Sequence, residues 1–77
     1  MYELEKAWIE KGLVSLGVDL SSIEFEDLPR ALRVHIGSKS MAFDQWLLDG
    51  LAQSSEDACA QAMRRLKALI ALPASAS

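Results

Sequence analysis

Residues 22–49 read SIEFEDLPRALRVHIGSKSMAFDQWLLD, and this stretch decides the fold. Ile23-Glu24-Phe25-Glu26 alternates apolar and charged residues, the pattern of a half-buried strand. Asp27-Leu28-Pro29-Arg30 supplies turn chemistry, with Pro29 fixing one φ angle. Ala31–Ile36 alternates again, Gly37-Ser38-Lys39-Ser40 turns, and Met41-Ala42-Phe43 resumes the alternation. Three short antiparallel strands in a meander follow from this pattern.

A register can be proposed from the turns. Centring the first on Leu28 and Pro29 sets Phe25 opposite Leu32 and Ile23 opposite Val34. Centring the second on Ser38 and Lys39 sets Ile36 opposite Met41 and Val34 opposite Phe43. Arg33 then falls between Glu24 and Asp44. Ile23, Phe25, Leu32, Val34, Ile36, Met41 and Phe43 share one face. Glu24, Glu26, Arg33, His35 and Asp44 share the other, so the sheet buries one face only.

The alternation fails after Asp44, because Trp46, Leu47 and Leu48 run together. Two readings stand: a third strand with a bulge near Gln45, or a helix carrying Phe43, Trp46, Leu47 and Leu51 on one stripe. Trp46 is core in one arrangement and interface in the other. Asp49-Gly50 reads as a turn.

Helices flank the stretch. Tyr2 to Leu16 is rich in Leu, Glu, Lys and Ala and contains no proline. Its apolar residues fall on two sides, so it either contacts two surfaces or breaks at Gly12; Gly17 is the expected C-terminal cap. The last helix opens at Ser54-Ser55-Glu56-Asp57, where a serine caps and the acids suit the dipole. Cys59, Ala62, Met63, Leu66, Leu69 and Ile70 form its apolar stripe, and Pro73 stops it. The expected fold class is therefore α+β: one domain over 1–73, helix, three-stranded antiparallel meander, helix, with both helices on one sheet face. Residues 74–77 read as a frayed tail.

Composition narrows the function. The chain has 77 residues, 51% of them hydrophobic, too many for a disordered chain of net charge −3. A core this small supports about 3–5 kcal/mol of net stability. Cys59 is the single cysteine, so neither an internal disulfide nor a cysteine metal cluster can form. The N-terminal sequence lacks the apolar run of a signal peptide, and no run is long enough to cross a membrane; a cytoplasmic setting is the expectation.

Charge is uneven. Through Asp27 seven acids face two bases, a balance of −5; from Leu28 onward six bases face four acids, a balance of +2. Nucleic-acid binders concentrate basic charge, because phosphate neutralisation dominates their affinity. Here the acidic half would repel phosphates and attract a basic protein surface.

No residue set reads as catalytic. His35 is the single histidine, and a lone strand histidine without a second ligand reads as a surface residue. Cys59 lies on an apolar stripe beside Asp57, a poor setting for a nucleophile. Carboxylates Glu24, Glu26 and Asp44 could pair for acid–base work only in a cleft. Arg64, Arg65 and Lys67 are explained by charge compensation near a helix C-terminus. No enzyme activity, metal or cofactor is expected.

The order helix–three strands–helix is similar to that of the double-stranded RNA-binding domain, at the level of topology. The resemblance implies an RNA binder using Arg33, Lys39, Arg64 and Arg65. Those domains place basic residues at the start of the last helix, where this chain has Ser54-Ser55-Glu56-Asp57.

The leading expectation is a small acidic protein-binding module. It would be an inhibitor or regulator that docks on the basic, nucleic-acid-binding surface of a larger complex through Glu24, Glu26, Arg33, His35, Asp44 and Trp46. Phage anti-defence proteins of the anti-CRISPR kind offer an analogy of size and charge. Two alternatives stand beside it: the nucleic-acid binder, and a homodimer formed through an edge strand.

Overall fold

The structure, a computed structural model, describes residues 2–73. In chain order come α1 (Glu3–Ser15), a 3-10 turn (Leu20–Ser22), β1 (Ile23–Leu28), β2 (Ala31–Ile36), β3 (Lys39–Asp44), α2 (Gln45–Ala52) and α3 (Glu56–Ala71). This is the expected α+β order, with a short helix added after the third strand. The expected tail, 74–77, lies outside the described residues.

The strands form an antiparallel sheet in the order β1-β2-β3. Pairing sets Phe25 opposite Val34 and Ile23 opposite Ile36. On the other side it sets Leu32 opposite Phe43 and Val34 opposite Met41. Every expected partner is thus displaced by two residues. The cause is turn geometry. Pro29 and Arg30 are the central pair of the first turn, since Leu28 still pairs with Ala31. Gly37 and Ser38 are the central pair of the second, since Ile36 pairs with Lys39. Gly37 takes φ +60 at the first central position, where a two-residue hairpin favours glycine. Arg30 takes φ +60 at the second central position of its turn, where glycine is usually found.

A slip of two preserves faces. Leu32, Val34 and Phe43 are fully buried and Ile23 nearly so, while Phe25, Ile36 and Met41 pack half-buried around them. All three helices cover this face. α1 contributes Ile9 and Leu13, α2 contributes Leu47, Leu48 and Leu51, and α3 contributes Ala58, Ala62, Leu66 and Leu69. The α3 stripe is therefore centred on Ala58, with Cys59, Met63 and Ile70 at its margin. Leucines in series on one side of each helix make the layer: burying each side chain contributes about 1.5–3 kcal/mol before entropy is charged against it.

The alternatives for residues 41–48 turn out to be successive elements. Strand pairing runs to Asp44, whose Oδ1 then accepts a hydrogen bond from the Leu47 N–H at 3.1 Å. Asp44 is thus the N-cap of α2, which is why alternation stops there. Trp46 lies on the outer side of α2 and is 63% exposed, so it is not a core residue. Asp49 and Gly50 are inside α2 and do not form a turn. At Gly50 the reason for glycine is space, because a Cβ there would collide with the Cβ of Ala58 across the α2–α3 crossing. Gly12 likewise does not break α1; its bare backbone lets Leu66 of α3 approach.

The helix ends are closed in detail. After α1, the Gly17 N–H bonds the Val14 carbonyl and the Val18 N–H bonds the Leu13 carbonyl, both at 3.0 Å. This is a Schellman motif, with Gly17 at φ +94. After α2 the same pair of bonds recurs, Ser54 to Leu51 and Ser55 to Gly50, with Ser54 at φ +57. Of the two candidate serines, Ser55 caps α3, accepting from the Ala58 N–H. Its C-terminus is held from the sheet: the Lys39 Nζ donates to the Ile70 carbonyl at 2.7 Å.

Candidate functional site

With three helices on one face, the other face of the sheet is left open by the described residues. Its side chains come from the alternate positions: Glu24, Glu26 and Leu28 on β1, Ala31, Arg33 and His35 on β2, and Ser40 and Ala42 on β3. Glu24, Glu26, Arg33, Ser40 and Ala42 are exposed, whereas Leu28, Ala31 and His35 are half-buried.

The observed register decides the electrostatics. Glu24 stands opposite His35, and Glu26 opposite Arg33. The Glu26 Oε1 also reaches diagonally to the His35 Nε2 at 3.1 Å. Cross-strand opposite charges contribute about 0.2–1 kcal/mol each, and more weakly where water screens them. Arg33 faces Ala42 on its other side, not Asp44 as expected. Asp44 faces Ala31 instead, and its carboxylate is turned into the α2 cap. The face therefore groups four of the six expected residues: Glu24, Glu26, Arg33 and His35. Asp44 is diverted to a structural task, and Trp46 belongs to α2.

At one end of the face Ser21, Ser22, Glu24, His35 and Gly37 line a dent of about 200 Å³. A second depression, about 310 Å³, lies away from it, lined by Trp8, Lys11, Gly12, Ser15 and Met63 of α1 and α3. Beside these residues, Leu4 is 72% exposed on α1. The β1 end of the covered face carries its own ion pair, Lys6 Nζ to Asp27 Oδ1 at 3.3 Å, which fastens α1 to the sheet edge.

The basic residues of the nucleic-acid alternative are dispersed. Arg33 is on the open face, Arg64 and Arg65 are on α3 in the helix layer beneath, and Lys39 is engaged at the α3 terminus. The sheet also separates His35 from Cys59, which packs against the core. No group of three or more His, Cys, Asp or Glu side chains able to hold a metal ion occurs among the described residues. No helix among them is long and apolar enough to cross a membrane.

Sequence reasoning missed the Glu26–His35 bond because its register was two residues off. Pro29 carried the signal that could have found it, since proline favours the first central position of a turn, which centres the β1–β2 turn on Pro29 and Arg30.

Comparison with protein-family models, with curated proteins and with solved structures finds no match to this chain. The functional reading therefore rests on the chain's own residues.

Proposed function

We propose that this protein is a small protein-binding module, an inhibitor or regulator, whose open sheet face docks on a basic surface of a larger assembly. The observation that supports it is the one-sided helix layer. Among the described residues it leaves an open face whose β1 edge carries Glu24 and Glu26, with Arg33 and His35 beside them. The depression on this face, about 200 Å³, is smaller than the roughly 300–1,000 Å³ of small-molecule sites, which favours a macromolecule over a small substrate. Its carboxylates are complementary to lysine- and arginine-rich surfaces such as those that hold nucleic acid. Glu26 is held by its bond to His35, which lowers the ordering entropy that opposes docking.

The test is partner capture from the native host, repeated with Glu24→Lys and Glu26→Lys together. Loss of the captured protein on charge reversal is expected. Retention of it would show that the acidic face is not the docking surface. Retention of the native chain on DNA or RNA, weakening with salt, would instead favour the nucleic-acid binder.

Self-association through a sheet edge is a second reading, favoured by a different observation: among the described residues both outer strands have one side without a neighbouring strand.

A further inference from the structure

We infer that β3, and not β1, is the strand through which two copies of this chain associate, antiparallel and centred on Ala42. The inference rests on the self-association reading above and not on the docking proposal.

The register fixes which backbone groups are free. The Gly37 N–H bonds the Ser22 carbonyl, and the Gln45 N–H bonds the Arg30 carbonyl. Both bonds are rungs of the two ladders, one step beyond the strand ends. Hydrogen-bonded pairs in an antiparallel ladder recur every second residue. Glu24, Glu26 and Leu28 therefore point their N–H and C=O groups at β2, and so do Lys39, Met41 and Phe43. The groups of Ile23, Phe25 and Asp27 point outward from β1, and those of Ser40, Ala42 and Asp44 point outward from β3.

The two edges are defended differently. A copy of β1 paired about Phe25 would set Glu24 against Glu26 twice, and like charges directly opposite are destabilising. Charged edge residues are a common guard against strand addition. β3 is guarded less. Its exposed open-face residues are Ser40, Ala42 and Asp44, of which only Asp44, at the strand end, is charged, and its one cation, Lys39, is turned inward onto the Ile70 carbonyl.

Pairing about Ala42 satisfies most of the outward groups. Ala42 meets Ala42 of the partner subunit, and Ser40 meets Asp44 of the partner subunit on both sides of the two-fold axis. The Ala42 pair exchanges both of its bonds, and each Asp44 N–H donates to a Ser40 carbonyl, giving about four hydrogen bonds, because the Asp44 carbonyl, at the N-cap of α2, is taken by the helix. One oxygen of Asp44 is engaged by the Leu47 N–H, which leaves the other to accept from the opposing serine hydroxyl. On the covered side Met41, half-buried in the single chain, comes opposite Phe43 of the partner subunit; Phe43 is already fully buried by its own chain, so this pair adds only the remaining surface of Met41. The product is a six-stranded sheet with two open faces side by side. Such an interface is isologous, as closed two-fold dimers require.

Sedimentation of the native chain over a wide concentration range should show a reversible monomer–dimer equilibrium. Ala42→Pro removes the two central donors, which face away from β2, and should leave a monomer whose circular dichroism is unchanged. A dimer that persists in this variant overturns the inference, as does a native chain that stays monomeric throughout. A second experiment holds even if the proline variant fails to fold. In a Cys59→Ser background, Ala42→Cys should cross-link to a dimer under mild oxidation, because a hydrogen-bonded pair sets its Cα atoms about 5.5 Å apart, within disulfide range. Phe25→Cys in the same background, on the axis of a β1 pairing, should form no cross-link. Cross-linking at position 25 in preference to 42 would assign the interface to β1.

Discussion

Leu32 and Arg33 are neighbours on β2 and stand on opposite faces of one sheet. Leu32 is fully buried under three helices, whereas Arg33 is exposed on a face that no described element covers. The difference teaches where this chain keeps its stability and where it keeps its surface free. The covered face joins every element into one core. The open face contributes cross-strand pairs such as Glu26–His35, worth little to folding and well placed for recognition.

The sharpest way to break that contrast is to make both faces polar in turn. Leu32→Asp strands a carboxylate in the core and removes packing worth about 2–5 kcal/mol, comparable to the whole net stability of a domain this small. Circular dichroism should show an unfolded chain at room temperature. Arg33→Asp, one residue away, should fold. If both variants fold equally well, the one-sided core is wrong.

Gly50→Ala probes the helix layer that makes one face covered. Its new Cβ meets the Ala58 Cβ, and overpacking of this kind costs about 1–3 kcal/mol. Thermal melting should fall accordingly, and Ala58→Gly in the same chain should restore part of the loss, which places the effect at that crossing.

Lys39→Met tests the charged residue that the covered side turns inward. It leaves the α3 terminus without its cation and should cost about 0.3–1 kcal/mol, measured by urea titration. An unchanged midpoint would mean that the Lys39–Ile70 bond contributes nothing in solution.

The smallest stability effect belongs to the open face. Glu24→Lys with Glu26→Lys should stay within about 0.5 kcal/mol per substitution while abolishing partner capture. A large fall in stability would show these carboxylates to be structural.

The hairpin tip sits outside this contrast and carries the opposite sign. Arg30→Gly relieves a left-handed conformation that costs a side-chain-bearing residue about 1–2 kcal/mol, and gives back part of that gain through a looser unfolded chain. A modest rise in melting temperature is expected.

Much of the fold was legible in residues 22–44, because strand periodicity is local and strong. The last helix was legible from its serine cap, its early acids and Pro73. What escaped was spatial. Gly12 and Gly50 read as helix breakers or turn residues, since a sequence shows their backbone freedom and not the neighbour that requires their small size. Lys39 read as part of a basic patch, since nothing local says that the end of α3 lies against the start of β3.

The sequence by itself determined which side of each strand is apolar, because side chains alternate with a period of two and an even slip of register leaves both faces intact. Only the tertiary structure decided which residues stand opposite one another. That depended on the two turns, on Arg30 accepting a conformation suited to glycine, and on Asp44 ending the third strand by capping a helix. Glu26 therefore meets His35, Asp44 is withdrawn from the charged set, and the charged face stays open because all three helices found their partner on the other side.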